Sequence, residues 1–208
     1  MTPPAKTMEG QLRPDLAVIS EWIEPGSRIL DIGCGDGELL DHLARTRKVR
    51  GYGLEIDSDK LANCVARGVN VIQADVDYGL RDFSTDSFDY VVLTQTLQAL
   101  ERPDQALTEI LRVGHRAIVT FPNFGHWRVR MQLLGGSMPK TPALPDQWFD
   151  SPNIHLCTVK DFEALCVAQH WTCKKRSLLD NAMRQGKRIT AWPNLFAEVA
   201  LYMLEDEA

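Results

Sequence analysis

The most constraining feature of the chain is a glycine-rich segment that follows a short apolar run and precedes a helical pattern. It reads Ile29-Leu-Asp-Ile-Gly-Cys-Gly-Asp-Gly37. Its glycines at positions 33, 35 and 37 allow a sharp backbone turn and the close approach of a ligand, which a Cβ would obstruct. A strand, a glycine turn and a helix in this order are typical of an α/β sheet that binds a nucleotide-like ligand.

Short apolar runs alternate with amphipathic windows along the rest of the chain, which predicts an α/β fold with a mostly parallel sheet and helices on both faces. Seven segments are predicted strands: 28–32, 51–56, 69–73, 88–93, 116–121, about 171–178 and about 195–203. Ser58 is the predicted N-cap of a helix whose inner face carries Leu61, Cys64 and Val65. Thr158 and the acid three residues later predict a capping box.

The length of 208 residues suits one generous domain or two small ones. Residues 1–11 hold no apolar signal-peptide core and are predicted to be a disordered leader, and 12–208 a single domain. Within that domain, residues 122–157 hold five prolines and a Gly-Gly pair, which predict an insertion or lid around one helix near 125–134. No apolar run approaches the roughly 18 residues of a transmembrane helix. The protein is therefore predicted to be cytoplasmic, without membrane contact.

Carboxylates around the glycine turn indicate the kind of ligand. A dinucleotide site needs the pattern G-x-G-x-x-G, but Glu38 stands where the third glycine belongs. Asp31 and Asp36 flank the turn, and in a partly dry site they would repel a pyrophosphate by on the order of several kcal/mol. S-adenosylmethionine carries an ammonium and a sulfonium and no phosphate, so the acidic turn suits it better.

Further acidic residues follow the next two predicted strands. Glu55 stands 22 positions after Gly33, close to the spacing expected of a ribose-binding carboxylate. Asp75 is placed to accept a hydrogen bond from an adenine amino group, and Val76 to pack on the ring. The alternative is that Asp31 merely caps and Glu55 lies on the surface. The predicted cofactor-binding residues are Asp31, Gly33, Cys34, Gly35, Asp36, Gly37, Glu55, Ile56, Asp75, Val76 and Thr94.

Charge and cysteine content argue against other classes of partner. The formal net charge is −5, so no global positive field attracts nucleic acid, and the basic runs 45–50 and 174–188 are interpreted as solvated faces. The five cysteines form no Cys-x-x-Cys pair and no zinc-finger spacing. Reduced, mostly buried thiols and no metal site are predicted.

Longer segments resemble known families. The superfamily of class I S-adenosylmethionine-dependent methyltransferases is matched by residues 31–37, Glu55, Asp75 and 88–95. A narrower similarity covers nearly the whole chain except the leader, through Gln73-Ala-Asp-Val-Asp-Tyr-Gly-Leu80, Thr94-Gln-Thr-Leu-Gln98, Thr120-Phe-Pro-Asn-Phe-Gly-His-Trp-Arg-Val-Arg130 and residues 145–157. Together these segments resemble the bacterial methionine-biosynthesis protein W family, MetW. The resemblance implies a Rossmann-like class I methyltransferase fold with a seven-stranded, mostly parallel sheet, an antiparallel last strand and bound S-adenosylmethionine or S-adenosylhomocysteine.

The two resemblances imply different functions. The MetW resemblance implies a role beside homoserine O-acyltransferase, which acetylates or succinylates homoserine, with residues 122–157 as the contact and cofactor occupancy as a feedback signal. The superfamily resemblance implies methyl transfer to a small molecule. A nucleic-acid methyltransferase is disfavoured by the net charge and because Thr94-Gln-Thr-Leu97 replaces the Asn/Asp-Pro-Pro-Tyr element of amide and base N-methyltransferases.

No catalytic residue is identified from the pattern alone. Among His115, His126 and His155, the last two are preferred as candidate bases because both lie in the predicted insertion, although a lone histidine is more often structural. The insertion also concentrates aromatic and arginine side chains, at positions 124, 127, 128, 130, 148 and 149. Such residues are enriched at interface anchors, but they could equally line a pocket for an acidic substrate or pack a lid helix. A homodimer is compatible with the sequence, and the acyl donor and methyl acceptor stay open.

Overall fold

The protein is described from a computed structural model that covers residues 12–180 and 186–206. Eight strands form one sheet within these residues: β1 Arg28–Ile32, β2 Arg50–Glu55, β3 Val71–Gln73, β4 Phe88–Thr94, β5 Gly114–Pro122, β6 Trp171–Asp180, β7 Lys187–Arg188 and β8 Val199–Asp206. The helices are α1 Pro14–Trp22, α2 Glu38–Arg47, α3 Ser58–Ala66, α4 Val76–Gly79, α5 Pro103–Val113, α6 Trp127–Leu134, α7 Val159–Ala168 and α8 Pro193–Phe196. Short 3-10 turns cover Leu80–Asp82 and Leu97–Ala99.

The strand order across the sheet is β3-β2-β1-β4-β5-β8-β6-β7. Strands β1 to β5 are all parallel to one another. Strand β8 is antiparallel to both β5 and β6. The predicted mostly parallel sheet with an antiparallel last strand is therefore confirmed. The predicted number of seven strands is wrong, because Lys187 and Arg188 add an eighth by pairing with Asp180 and Leu179. Two residues are too few to produce a periodic hydrophobic signal.

The hydrophobic core lies on both faces of the sheet, as the central strand β4 shows. Val91 and Leu93 belong to the cluster that contains Leu107 of α5, whereas Val92 on the opposite face belongs to the cluster that contains Leu43 of α2. All five side chains are fully buried. Burial of each such side chain stabilises the fold by about 1.5–3 kcal/mol. Because the alternating side chains of β4 are buried on both faces of the sheet, this strand needs a nearly continuous apolar run. The predicted helices on both faces are confirmed.

Local signals at α3 differ in part from the prediction. Asp57, not Ser58, is the N-cap, and its Oδ1 accepts hydrogen bonds from the backbone N–H groups of Asp59 and Lys60. Val65, predicted to face inward, is 62% exposed, because α3 covers the edge of the sheet and buries only Cys64 completely. A carboxylate that accepts two N–H groups at the helix start explains why Asp57 takes the capping position.

The predicted capping box at α7 is confirmed. The Thr158 hydroxyl accepts from the backbone N–H of Asp161, and Asp161 Oδ2 accepts from the backbone N–H of Thr158 at 3.0 Å. Between β5 and α7 the chain forms α6, near the predicted helix, and a largely irregular segment with one isolated bridge between Thr141 and Leu144. The predicted leader, 1–11, lies outside the described residues. No helix in the described ranges has both the length and the apolar character needed to cross a membrane.

Candidate functional site

The glycine turn joins β1 to α2 at the carboxyl edge of the sheet, the edge at which open α/β sheets bind ligands. Gly33, Gly35 and Gly37 have φ angles of 66°, 56° and 73°, in the left-handed region that side chains disfavour. A Cβ on Gly33 would lie 2.5 Å from Oγ1 of Thr96, in the loop that follows β4. The turn therefore packs directly against a second loop at the same edge, which only glycine permits.

The carboxylate of Glu55, at the end of β2, holds this turn in place. Its Oε2 accepts a hydrogen bond from the backbone N–H of Gly35 at 2.9 Å. Its Oε1 accepts from the N–H groups of Ile56 and Asp57 at 2.9 and 3.0 Å. Glu55 is buried, which excludes the alternative that it is a surface residue. Each carboxylate oxygen has two acceptor sites, so Oε2 keeps capacity for a ligand hydroxyl.

Asp31, in β1, is a buried acid that forms no salt bridge within residues 12–180 and 186–206. It is 1% exposed, and its Oδ1 has no hydrogen-bond partner among the described residues. Burial, together with the nearby charge of Glu55, raises the pKa of Asp31 to about 7, and Arg13 opposes that rise. A buried carboxylate of this kind is stabilised by a cationic or hydrogen-bond-donating ligand group.

Gly33 of the turn and Glu55 border a cavity of about 490 Å³, which we call the edge cavity, whereas Asp31 directly precedes the lining residue Ile32 and does not itself line the cavity. Five of the predicted cofactor-binding residues line it: Gly33, Glu55, Ile56, Asp75 and Val76. Other lining residues come from the loop after β4 and from the segment before α7, among them Gln95, Thr96, Pro152 and Ile154. The edge cavity thus collects residues from the ends of three parallel strands, as the sequence pattern predicts.

The remaining turn residues lie beside this cavity rather than in its lining. Asp36 is exposed, and its Oδ1 accepts a hydrogen bond from Nδ2 of Asn63 in α3 at 3.0 Å. Cys34 is buried with its Sγ 3.8 Å from Sγ of Cys64, and burial raises the pKa of the Cys34 thiol. The cysteines of the described residues are free thiols. Cys34 therefore fills space between the turn and α3.

Two of the predicted cofactor-binding residues, Asp75 and Thr94, form hydrogen bonds with residues close to them in the sequence. Asp75 is exposed and is the N-cap of α4, where its Oδ1 accepts from the backbone N–H of Asp77 at 3.0 Å. The carbonyl of Thr94 accepts a hydrogen bond from the hydroxyl of Thr96, and it is Thr96 with Gln95 that reaches the edge cavity. The sequence prediction named Thr94 in this region, whereas the structure places Gln95 and Thr96 in the lining of the edge cavity.

A cluster that the sequence reasoning missed lies at the start of α1. Asp15 is completely buried, and the Arg13 guanidinium bonds both of its oxygens, at 3.2 and 3.0 Å. Nε2 of Gln95 lies 3.5 Å from Asp15 Oδ2. An Arg-x-Asp triplet before a helical pattern is the only local signal that could have indicated this ion pair.

An extended segment, residues 151–156, crosses from the long irregular region to the loop after β4, and we call it the strap. The backbone N–H groups of Ile154 and His155 both donate to the carbonyl of Gln98, each at 2.9 Å. The side chain of Gln98 in turn donates from Nε2 to the carbonyl of Gln95 at 2.6 Å. The strap is thereby connected to a loop that lines the edge cavity.

The strap lies between two cavities. Pro152 and Ile154 line the edge cavity, whereas Ser151, Asn153 and Leu156 line a second cavity of about 380 Å³, which we call the insertion cavity. The other walls of the insertion cavity include Phe124, Met138, Lys140, Leu144, Asp146 and Trp148. Over residues 151–154, neighbouring side chains thus contact different cavities in alternation, as extended backbone allows, whereas Leu156 departs from this alternation.

The two candidate bases are in different environments. His126 is 1% exposed, its ring nitrogens have no hydrogen-bond partner in the described ranges, and Nε2 lies 3.8 Å from Oδ1 of Asp180. Burial lowers the pKa of His126, so its imidazole is neutral at pH 7. His155 is exposed, with Nε2 3.1 Å from the carbonyl of Glu101. Neither histidine lines the edge cavity.

Nearly the whole chain matches one protein family. The family described as methionine biosynthesis protein MetW matches residues 13–204. The chain belongs to the MetW family. A relative from Rhodopirellula baltica, named bifunctional methionine biosynthesis protein MetXA/MetW, is 35% identical over 218 residues, covering 99% of this chain and 35% of that protein. This MetW-family chain is therefore a methyltransferase-fold protein of methionine biosynthesis.

Two further similarities concern methyltransferases. A fatty-acid O-methyltransferase from Mycolicibacterium smegmatis is 34% identical over 93 residues, covering 42% of this chain and 33% of that protein. The MetW-family chain thus spans about a third of the length of the curated relatives it matches. A crystal structure of a SAM-dependent methyltransferase from Archaeoglobus fulgidus aligns with a TM-score of 0.69 at 14% identity, covering 93% and 92% of the two chains. At that identity the likeness shows the shared fold.

Proposed function

We propose that this protein binds S-adenosylmethionine or S-adenosylhomocysteine in the edge cavity and supports homoserine O-acyltransferase in methionine biosynthesis. The observation that supports this ligand is the buried Asp31 carboxylate, whose Oδ1 lacks a partner among the described residues. Asp31 directly precedes Ile32 and Gly33, which line the cavity of about 490 Å³. A ligand ammonium compensates that charge. When bound, S-adenosylmethionine supplies a methyl group on a positively charged sulfur.

The residues of the edge cavity fit the other parts of this ligand. Glu55 accepts from a ribose hydroxyl with the capacity its oxygens retain, while its bonds to backbone N–H groups keep it in position. Asp75 accepts from the adenine amino group, and Val76 packs on the ring. The left-handed backbone at Gly33 and Gly35 brings the main chain close to the ligand without an intervening Cβ. The turn thus binds and orients a cationic nucleoside without a phosphate site.

The partner is inferred from a relative whose name joins two proteins, and from exposed side chains in the predicted insertion, 122–157. The Rhodopirellula baltica protein is named for a MetXA part and a MetW part in one chain, and this chain corresponds to 35% of it. In the insertion, Leu134, Trp148 and Phe149 are 81%, 72% and 71% exposed. Large exposed apolar side chains of this kind are typical of protein contact sites. We refer to these three residues as the insertion surface.

The strap carries the effect of ligand binding from the edge cavity to the insertion surface. Ile154 lines the edge cavity, and Trp148 shares the insertion cavity with the neighbouring strap residues Asn153 and Leu156. A ligand that orders the strap on one side therefore changes the surface on the other. By linkage, the partner changes the affinity for the ligand by the same factor as the ligand changes the affinity for the partner.

The experiment measures binding and partner activity separately. S-adenosylmethionine and S-adenosylhomocysteine are titrated into the purified protein by calorimetry, with and without the homoserine O-acyltransferase of the same organism. The acyltransferase is assayed with and without this chain, and a complex is sought by co-purification. We expect ligand binding, a complex and a higher acyltransferase rate. An unchanged rate together with no complex contradicts the partner role, and equal dissociation constants with and without the partner contradict the coupling.

A second candidate function is methyl transfer to a small molecule. It is favoured by the 34% identity over 93 residues to the Mycolicibacterium smegmatis fatty-acid O-methyltransferase. The reaction needs mainly an aligned acceptor, and a base only when the acceptor must lose a proton. Formation of S-adenosylhomocysteine from S-adenosylmethionine with a panel of carboxylates and thiols tests it. No turnover with any acceptor, in a protein that binds the cofactor, contradicts this candidate.

A further inference from the structure

The insertion cavity is lined by charges of both signs and by apolar side chains. Among the described residues, its walls share no member with those of the edge cavity. Its volume of about 380 Å³ is in the range of small-molecule sites. Lys140 and Asp146 bring one charge of each sign, and Phe124, Leu144 and Trp148 bring aromatic and aliphatic surface. A cavity with this lining suits a small molecule that carries both charges and an apolar part.

The two charged side chains have no partner of opposite charge in the part of the chain that the structure describes. No salt bridge within residues 12–180 and 186–206 joins Lys140 or Asp146 to another residue or to each other, although both line the same cavity. Both side chains are exposed and thus accessible to a ligand. A ligand with a carboxylate and an ammonium forms a charge-assisted hydrogen bond with each of them.

One tight turn positions both charges. The backbone N–H of Thr141 donates to the carbonyl of Leu144, and the N–H of Leu144 donates to that of Thr141, each at 3.0 Å. This antiparallel bridge joins two arms, of which one carries Lys140 directly before Thr141 and the other carries Asp146 two residues after Leu144. Residues that flank an antiparallel bridge are close neighbours across it. Because Thr141, Ala143 and Leu144 are buried, the turn is fixed to the core.

Hydrogen bonds fix two further parts of the wall. The Gln132 side chain, in α6, donates from Nε2 to the carbonyl of Lys140 at 3.2 Å, and its Oε1 accepts from the Lys140 N–H at 2.9 Å. On the strap, the hydroxyl of Ser151 accepts from the N–H of Asn153 at 3.2 Å. These contacts use backbone groups and leave the Lys140 ammonium for a ligand. The backbone around the cavity is therefore preorganised, which lowers the entropic cost of binding.

We propose that the insertion cavity binds a free α-amino acid with an apolar side chain. The carboxylate of this amino acid binds Lys140, and its ammonium binds Asp146. Its side chain packs on Trp148 and Phe124. The inference goes beyond the proposed function and does not rest on it, because the amino acid and the nucleoside occupy different cavities. The site selects zwitterions, since a ligand with only one charge leaves Lys140 or Asp146 without its partner.

The test compares L-norleucine with hexanoate, which lacks the ammonium, and with pentylamine, which lacks the carboxylate. A titration followed by NMR measures the indole N–H signals of Trp148, which lines the cavity, and of Trp192, which is similarly exposed and does not line it. We expect norleucine to shift the Trp148 signal with a Kd on the order of 1 mM, and to bind at least about tenfold more tightly than either analogue. L-Alanine, with a side chain three carbons shorter, is expected to bind at least about fivefold more weakly than norleucine.

Two variants separate the roles of the charges. Lys140→Gln is expected to reduce the preference for norleucine over pentylamine to below about 3-fold and to keep the preference over hexanoate. Asp146→Asn is expected to do the reverse. The matched controls are Lys160→Gln and Asp150→Asn, because both residues are exposed and neither lines the insertion cavity, and we expect them to keep both preferences. Since all these side chains are exposed, the variants are expected to keep the thermal stability of the wild type.

Three results would overturn the proposed site. The first is an unchanged Trp148 signal at about 20 mM norleucine, or equal shifts of Trp148 and Trp192. The second is equal affinity for norleucine, hexanoate and pentylamine. The third is a pair of preferences that survives in both Lys140→Gln and Asp146→Asn. Each of these results leaves the proposed function intact, because binding of S-adenosylmethionine in the edge cavity is measured in a separate titration.

Discussion

The backbone N–H of Gly35 donates a hydrogen bond to Oε2 of Glu55 at 2.9 Å, and this contact joins the glycine turn after β1 to the end of β2. The same carboxylate accepts from Ile56 and Asp57 through its other oxygen. One buried acid therefore shapes the turn and presents its remaining acceptor capacity to the edge cavity. Stability and ligand affinity are both expected to depend on it.

Replacement of Glu55 by Ala is expected to lower the free energy of unfolding by about 2–4 kcal/mol, because three backbone N–H groups lose a charged acceptor. Glu55→Gln keeps one acceptor oxygen and is expected to cost less. Both variants are expected to bind S-adenosylmethionine at least about tenfold more weakly. Denaturant titration and calorimetry provide the two measurements. Asp36→Asn is the control, an exposed acid of the same turn, and its stability is expected to change by less than about 0.5 kcal/mol. An equally large loss in this control would contradict the role of Glu55.

The stability of the ligand-free protein is expected to depend on the ionisation of Asp31. Its pKa is raised from 3.8 to about 7 by burial and by Glu55, so between pH 4 and 7 the folded state holds a proton that the unfolded state has released. The free energy of unfolding therefore falls as the pH rises through this range, by on the order of 4 kcal/mol in total. Asp31→Asn removes this loss and is expected to be the more stable protein at pH 8.

Denaturation of the wild-type protein and of Asp31→Asn between pH 4 and 9 measures this difference. The affinity of the wild type for S-adenosylmethionine is expected to rise with pH up to about 7, because the ionised Asp31 binds the ligand ammonium. The same stability profile in both proteins would show that Asp31 is already ionised at pH 5. A ligand affinity that is independent of pH would contradict the contact with the ammonium.

Alanine substitutions at Gly33 and Gly26 distinguish the cost of an unfavourable φ angle from the cost of a steric clash. Both have positive φ angles, 66° and 78°, but a Cβ on Gly33 would lie 2.5 Å from Thr96 Oγ1, whereas a Cβ on Gly26 would meet nothing within 4 Å. Gly26→Ala is expected to cost about 1–2 kcal/mol from the backbone alone. Gly33→Ala is expected to cost about 1–3 kcal/mol more and to weaken ligand binding. Equal losses in thermal denaturation would mean that the contact with Thr96 relaxes freely.

The insertion surface is tested with two tryptophans of similar exposure. Trp148, within the predicted insertion, 122–157, is 72% exposed, and Trp192, outside that range, is 73% exposed. Trp148→Ala is expected to weaken the complex with homoserine O-acyltransferase by about tenfold or more, as a buried aromatic anchor would. Trp192→Ala is expected to leave the complex unchanged, and both variants should keep the thermal stability of the wild type. Surface plasmon resonance measures the affinity, and equal affinities would exclude Trp148 as an anchor.

The elements that were predictable from sequence are those with dense local signals. The apolar run 88–93 corresponds to β4 within one residue, and the glycine turn and Glu55 fall where their spacing predicts. Strand β7, with two residues, has no period to detect. The capping position before α3 depended on which of two adjacent polar side chains, Asp57 or Ser58, accepts the free N–H groups.

The parts of the site that escaped prediction depend on long-range contacts. Gln95 meets Asp15 across 80 positions of sequence, and Ile154 reaches the edge cavity from a region without a periodic pattern. No local feature distinguishes Gln95 or Thr96 from Thr94 as the residue that lines the cavity. Such contacts follow from the strand order of the sheet, which places the loops after β1 and β4 side by side.

The strap has a consequence for how this family can vary. Pro152 and Ile154 contact the edge cavity while Ser151 and Asn153 contact the insertion cavity, so residues 151–154 alternate between the two cavities. A substitution at one of these four positions changes the lining of one cavity and leaves the other lining unchanged. A single-residue insertion or deletion among them shifts the alternation and alters both cavities in one step. Its length is thus under tighter constraint than its composition.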